Sequence, residues 1–513
     1  MEHAIELRHI TKTFGRVTAN HDVSLSVRQG EILSLLGENG SGKTTLMNMI
    51  AGIYYPDSGE ILVGGKPVEI RSPKDAYALG IGMVHQHFKL IDVFTAVENI
   101  ALVMDKHEKY DLKAIRARAK SICERYDFDI DLDQKVYEMS VSQKQTLEII
   151  KMLFRGAQIL ILDEPTAVLT PQETERLFSV MRNMKADGKS IIIITHKLHE
   201  VLEISDRVAI LRKGEYVGTI ETAEASESTL TELMVGKKVE LNIERPEPTN
   251  RHLRLSVHNL SVTNAEGVRV LDQVSFEAFS GEILGIAGIS GNGQKELLEA
   301  IAGLQVTDPG SSVLYFPDDD RDSTAEQLIG KTPRDIRGMG VHLSFVPEDR
   351  LGMGLVGSMG MVDNMMLKSY GKGHSFFADR REPRHLAEEI KEELDVVTPS
   401  VTTPVSRLSG GNVQKVLVGR EIAAGPSVLM TAYAVRGLDI NTSYTIYHLL
   451  NEQKKKGVAI LYVGEDLDVL IDLCDRILVL CGGKNNGIVE GRRTNKEEVG
   501  LLMTRLQEKG GIA

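Results

Sequence analysis

Gly37-Glu38-Asn39-Gly40-Ser41-Gly42-Lys43-Thr44 is the stretch on which the reading turns. It follows the apolar run Glu31 to Leu36, which reads as a buried strand, and opens a segment, Lys43 to Ile50, patterned as a helix. Glycines at such a junction let several backbone N–H groups converge on one anion, and the helix start adds a favourable dipole. Lys43 is placed to reach terminal phosphates, and the Thr44 hydroxyl to ligate Mg²⁺. A merely Gly-rich turn is the plain alternative, yet strand, loop and helix come in the order that phosphate binding requires.

Farther along, Ile159-Leu160-Ile161-Leu162-Asp163-Glu164 reads as a buried strand with two carboxylates at its C-terminal end, where α/β sheets place ligands. Alone, such a run is usually structural. With the phosphate loop upstream, Asp163 is expected to hold Mg²⁺ through water and Glu164 to polarise an attacking water. His196 follows a further strand-like run, Ile191 to Ile194, and Gln86 lies in Met83-Val84-His85-Gln86-His87-Phe88. Neither is diagnostic in isolation.

The chain repeats itself. Gly30-Glu31-Ile32-Leu33 recurs as Gly281-Glu282-Ile283-Leu284 and Ala51-Gly52 as Ala302-Gly303, at an offset of 251 residues. Ser140 recurs as Ser409 and Asp206-Arg207 as Asp475-Arg476, at an offset of 269, so the second copy carries extra residues, which the polar run Asp318 to Asp322 is expected to supply. Two whole domains are expected, residues 1–240 and 253–513, joined by a polar linker at 241–252 with Pro246 and Pro248, the boundary falling near Glu247. Strands alternating with helices predict a mostly parallel sheet core in each, and the charged helical pattern from about His87 to Arg155, Leu112 to Tyr126 for example, predicts a helical subdomain.

Composition bounds the rest. Of 513 residues, 72 are acidic and 60 basic, a formal charge of −12 that argues against a nucleic-acid backbone as main partner. Three Cys (123, 474 and 481) without a CxxC pair support neither a disulfide framework nor a structural zinc site and suit a reducing cytoplasm. No secretory signal is expected at Met1 to Ile10, and no apolar run approaches the ~20 residues of a spanning helix.

Together these motifs resemble the nucleotide-binding domains of ABC transporters, in two copies covering almost the whole chain. The family's signature segment stands in the second half as Leu408-Ser409-Gly410-Gly411-Asn412, while the first half reads Met139-Ser140-Val141-Ser142-Gln143. The resemblance implies two tandem P-loop NTPase domains that bind ATP and Mg²⁺. It implies nucleotide contacts from Phe14, Gly37, Asn39, Gly40, Ser41, Gly42, Lys43, Thr44, Thr45 and Asp163, metal binding by Thr44, Gln86 and Asp163, and chemistry by Glu164, His196 and Gln86. Phe14 matches the aromatic that stacks on adenine, Gln86 the loop that couples to membrane subunits, and His196 the switch at the γ-phosphate.

The second half has lost these groups selectively. Its loop, Gly288-Ile289-Ser290-Gly291-Asn292-Gly293-Gln294-Lys295, keeps glycines, but Gln294 and Lys295 replace the phosphate-binding Lys and the metal-binding hydroxyl. Asp163 and Glu164 map to Ala432 and Tyr433, His196 to Glu465, Gln86 to Glu348 and Phe14 to Asn264. If the halves face head to tail, as in the family, Ser409, Gly410 and Gly411 complete the intact site, while the other site is damaged on both sides. One hydrolytic site is expected, the second binding nucleotide without turnover or not at all. Asp439 is retained at the loop where the first copy has Thr170, a family subgroup mark.

Twin domains with a degenerate second half, a short linker and no membrane segment are similar to the ATP-binding subunits of bacterial importers for simple sugars or nucleosides, the nucleoside branch favoured by Gly82 to Phe88, Gly291-Asn292-Gly293-Gln294 and Pro347-Glu348-Asp349-Arg350. Two membrane permeases and a substrate-binding protein are the implied partners, with this chain peripheral on the cytoplasmic face of the membrane. The apolar groups between Gln86 and Asn99 either dock a permease helix or fill the helical subdomain. A twin protein acting on ribosomes or nucleic acid is the alternative, though such proteins carry a long basic linker and two intact ATPases.

Overall fold

In the computed structural model all residues are described except 1, 16, 86–87, 105–109, 167–168, 196, 237–242, 249–250, 290, 318–324, 339–342, 348, 368–378 and 505–513. The chain divides into two compact units, Met1–Glu240 and Leu241–Ala513.

The first unit contains β1 (His3–Phe14), β2 (Val17–Arg28), β3 (Ile32–Leu36), β4 (Ser58–Val63), β5 (Lys66–Val68), β6 (Ile81–Val84), β7 (Ile159–Asp163), β8 (Ser190–Ile194), β9 (Arg207–Arg212) and β10 (Glu215–Glu221). Six of them form a sheet in the order β10-β9-β3-β8-β7-β6. It is parallel from β6 to β9, with only β10 antiparallel. The near-continuous apolar runs noted in the sequence are these central strands, β3, β7 and β8, buried at every position as sheets covered on both faces demand.

A second, antiparallel sheet, β2-β1-β4-β5, was not foreseen from the sequence. Its strands β1 and β2 pair through several register shifts, with His9 and Asp22 at left-handed φ of 53° and 52°, so their in/out alternation is broken by bulges. One apolar cluster, including Leu7, Val23, Leu46 and Ile161, joins this sheet to one face of the parallel sheet; a second, including Leu160, Phe178 and Ile193, covers the other face. The helices Ala96–Ala101, Leu112–Tyr126 and Val141–Phe154 share a cluster of their own around Ile100, Ile115 and Leu147, the helical subdomain anticipated for this stretch.

The second unit repeats the plan with β11 (Leu253–Thr263), β12 (Arg269–Phe279), β13 (Ile283–Ala287), β14 (Ser312–Tyr315), β15 (Glu326–Gln327), β16 (Leu343–Val346), β17 (Val428–Ala432), β18 (Ala459–Val463), β19 (Arg476–Cys481) and β20 (Lys484–Glu490). The sheets run β16-β17-β18-β13-β19-β20 and β12-β11-β14-β15, the same neighbours in the same places. The strand pair β6 and β16 stands at an offset of 262, intermediate between 251 and 269. The extra residues of the second copy are therefore divided, part before β16 and part between β16 and β17, which corrects the assignment of all of them to Asp318 to Asp322. That run itself lies outside the described residues.

The landmarks that exposed the repeat are structural. Glu31 accepts from the Arg28 N–H and pairs with Arg207 at 3.3 Å, while Asp206 accepts from the Ile32 N–H at 2.9 Å. In the second unit Glu282 accepts from Phe279, pairs with Arg476 at 2.6 Å, and Asp475 accepts from Ile283 at 2.8 Å. Each set ties the start of the central strand to its neighbour. Lys185–Asp206 and Lys454–Asp475 are also equivalent pairs, but Lys454 is only 1% exposed because the segment expected as linker lies over it. Lys454 donates to the Pro246 carbonyl, Asn451 to Glu244, and Arg245 to the carbonyls of Ile471 and Cys474. All three Cys are free thiols, and among the described residues no helix is long and apolar enough to cross a membrane.

Candidate active site

The loop after β3 turns so tightly that side chains are excluded. A Cβ on Gly37 would lie 2.2 Å from the Leu211 carbonyl oxygen, and one on Gly42, at φ 95°, 2.3 Å from that of Ala19. Gly42 is the N-cap of the helix Lys43–Ile50, so the helix begins at the residue where the sequence predicted it. Asn39 and Gly40 are exposed at the loop crest and Thr44 on the first turn, with Thr45 half-buried. Ser41 is buried, and its Oγ has no hydrogen-bond partner among the described residues, an oxygen available to a ligand.

Lys43 is buried, its Nζ donating to the carbonyls of Gly37 at 2.7 Å and Glu38 at 2.9 Å. Burial pulls its pKa down, against the charges of Glu164 and Asp163. Asp163, at the end of β7, is itself buried; burial first and then the neighbouring Glu164 push its carboxyl up to about 6, with Lys43 opposing. The chain thus gathers one cation and two carboxylates that stand far apart in sequence. Glu164 holds a left-handed φ of 51° and donates its N–H to the Ile194 carbonyl at 2.9 Å, an arrangement that turns its side chain out of the strand's alternation. The hydroxyls of Ser41 and Thr44 and the carboxylate of Asp163 are oxygens of the kind a hard divalent cation takes.

Phe14 ends β1 and is 43% exposed. Sequence reasoning missed its neighbour Tyr54, edge-on at 5.1 Å between centroids, and Lys12, whose Nζ lies 5.6 Å from the ring centre. Gln86 and His196 lie outside the described residues, as does Glu348.

At the matching loop of the second unit the backbone is kept and the chemistry replaced. Gly293 caps the helix Gln294–Ile301 with φ 95°. Gln294, 2% exposed, donates to the Ile289 carbonyl at 3.1 Å, doing with an amide what Lys43 does with a charge. Lys295 pairs at long range, 3.9 Å, with Glu299 of its own helix. Tyr433 repeats the conformation of Glu164, at φ 52° with its N–H on the Val463 carbonyl. Its ring faces Arg436 at 5.8 Å, and Arg436 in turn pairs with Glu465 at 3.3 Å.

The signature segments differ in what their serines do. Ser409 caps the helix Gly410–Ala423, accepting from Asn412 Nδ2 at 2.9 Å and its backbone N–H at 3.4 Å. A Cβ on Gly410 would stand 3.3 Å from Arg350 Nη1, and one on Gly411 3.3 Å from Thr442 Oγ1, so the pair is closely fitted. Ser140 caps the helix Val141–Phe154 in a capping box with Gln143, but Ser142, standing for Gly411, brings its hydroxyl to 3.0 Å from the Ser140 hydroxyl. Thr170 and Asp439 both act as N-caps, of Pro171–Ala186 and Ile440–Lys455.

The family model described as ABC transporter matches residues 20–167 and 271–431. Relatives align over nearly their full length: the nucleoside import ATP-binding protein NupA of Lactococcus lactis is 40% identical, covering 98% of each chain. The guanosine import ATP-binding protein NupO of Bacillus subtilis is also 40% identical, over 99% of each, and the glucose import ATP-binding protein TsgD13 of Haloferax volcanii is 38% identical, over 98% of this chain and 95% of that one. This chain belongs to the ABC transporter family, and its two units are tandem ABC ATPase domains.

Proposed function

We propose that the chain is the ATP-hydrolysing subunit of an importer for nucleosides or simple sugars, with one working catalytic site. The observation that carries this reading is the asymmetry itself: Lys43, Asp163 and Glu164 converge in the first unit, and the intact Ser409-Gly410-Gly411 cap stands in the second. The relatives' import of nucleosides, guanosine and glucose supports the transport role, and their identity favours a nucleoside as cargo over the ribosomal alternative.

In this reading the loop N–H groups from Gly37 to Thr45 and Lys43 bind the ATP phosphates, and Phe14, backed by Tyr54, stacks on the base. Glu164 takes the proton of the attacking water, His196 contacts the γ-phosphate, and Ser409, Gly410 and Gly411 close on it from the second unit. Thr44, Asp163 and Gln86 would hold Mg²⁺, which supplies charge neutralisation of the phosphates. Lys43, drawn back to two carbonyls, must exchange them for phosphate oxygens on binding. The second loop, with Gln294, Lys295, Ala432 and Tyr433, supplies neither charge nor base and does not turn ATP over.

Two permeases and a substrate-binding protein complete the assembly, with the chain peripheral on the cytoplasmic face. Between Gln86 and Asn99, Ile91 and Val93 are 41% and 63% exposed while Leu90 packs into the helical subdomain, so the segment serves both uses, core and docking face. Leu351 and Met353 are exposed in the corresponding part of the second unit.

Purification from membranes tests the reading. Recovery with two membrane subunits and ATP-dependent uptake of labelled guanosine into vesicles are expected; recovery with ribosomes and without membrane proteins overturns it.

A further inference from the structure

The turn that follows β16 in the second unit is fastened lengthwise to the signature helix. Asp349 caps it, accepting from the Gly352 N–H at 2.8 Å. At one end, Arg350 Nη1 donates to the Gly410 carbonyl at 3.4 Å and Nη2 donates to the Arg436 carbonyl. At the other, the Gly354 carbonyl accepts from Arg420 Nη2 at 2.7 Å, and a Cβ on Gly354 would come within 2.8 Å of Leu417 Cδ2. Gly410 and Arg420 are separated by about 15 Å of helix, so the turn grips both the cap and the far end. Its apolar side chains Leu351 and Met353 meanwhile remain exposed.

Among the described residues the first unit shows no such fork. By the offset of β6 and β16, Phe88 occupies the place of Arg350. There the chain is attached to its own helix farther in: the Lys89 N–H donates to Glu148 at 2.7 Å, and Lys151 Nζ to the Lys89 carbonyl at 3.0 Å. The arginine thus accompanies the signature segment that keeps both glycines.

We propose that Arg350 is a positioning residue for hydrolysis: its guanidinium fixes the Ser409-Gly410-Gly411 cap and the Arg436-to-Asp439 loop as one body and transmits displacement of the exposed turn to them. This rests on the reading that the second unit's cap completes the site containing Lys43. A planar guanidinium can serve two diverging carbonyls at once, whereas an ammonium is a point donor that serves them less well.

The test is the ATPase of the transporter assembled with its membrane subunits. Arg350→Ala is expected to lower kcat about tenfold while leaving KM for ATP within about twofold, since the guanidinium is engaged by the Gly410 and Arg436 carbonyls and acts on the cap and not on the nucleotide; Arg350→Lys is expected to fall between. A kcat for Arg350→Ala within about twofold of the parent overturns the proposal, as does a proportional rise in KM. Should the alanine variant not assemble, full parental kcat in Arg350→Lys overturns it and a partial loss at unchanged KM and melting temperature supports it. Ser409→Arg separates the two levels: if it stays active, the underlying reading fails, and if it is dead while Arg350→Ala is fully active, only the role of Arg350 fails.

Discussion

The two units are the same machine part in two chemical states. Their sheets share strand order, their helices start at glycine caps with the same φ of 95°, and their strand-start ion pairs coincide. What differs is confined to a few side chains at strand ends and loop crests: Lys43 against Gln294, Asp163 against Ala432, Glu164 against Tyr433. The residues that build the fold are matched between the units, while the charged groups at these strand ends and loop crests are present in one and replaced in the other.

The sharpest way to break the comparison is to attack equivalent positions. Glu164→Gln is expected to slow turnover by about two to four orders of magnitude and trap ATP, whereas Tyr433→Phe should stay within twofold; equal losses in steady-state ATPase assays would mean two working sites. Ser409→Arg should cost about two to three orders of magnitude, while Ser142→Gly, which frees the Ser140 hydroxyl, should leave kcat nearly unchanged. The reverse order would show that the assignment of caps to sites is wrong. Phe14→Ala should raise KM for ATP about fivefold, on the order of 1 kcal/mol of stacking, with no such change for Asn264→Ala.

The smallest effect is on stability and has a pH sign. Asp163 titrates near 6 in the folded chain against 3.8 for an ordinary carboxylate. Between those values the folded state holds the proton and the unfolded state releases it, so this group stabilises increasingly as pH falls from about 6 toward 4, and weighs against the fold at pH 7.5. Asp163→Asn should therefore raise the melting temperature of the nucleotide-free chain by about 2 °C or more at pH 7.5, a gain that shrinks at pH 5, while abolishing turnover. Calorimetry at the two pH values checks both.

Much of this was readable from local pattern. The helix Lys43–Ile50 and the helix Leu112–Tyr126 have the expected bounds because their signals, a glycine-rich entry and a 3.6-residue apolar period, are local. The antiparallel sheet was not, since bulges at His9 and Asp22 break the alternation that marks a strand. Nor was Tyr54 beside Phe14, or Arg350 on Gly410 and Arg436: these meetings span tens of residues and follow from how the strands are wound, not from any nearby text. The sequence located the acidic strand end, but only packing reveals that Asp163 is buried there, so that burial and then Glu164 hold its proton against the opposing charge of Lys43.

Tyr433 carries one more lesson. A bulky residue with φ of 52° is held in a conformation that costs roughly 1–2 kcal/mol relative to an ordinary one. In the first unit that twist sets Glu164 beside the buried Asp163; in the second it sets the Tyr433 ring against Arg436 and the apolar core. The same bend, with the same N–H bond to the neighbouring strand, thus carries a carboxylate in one unit and a ring in the other, one posture with two kinds of freight. An asparagine at this position would be at ease in the left-handed region but would give up the ring's contacts with the core and with Arg436, so the strained posture is held by what it now carries.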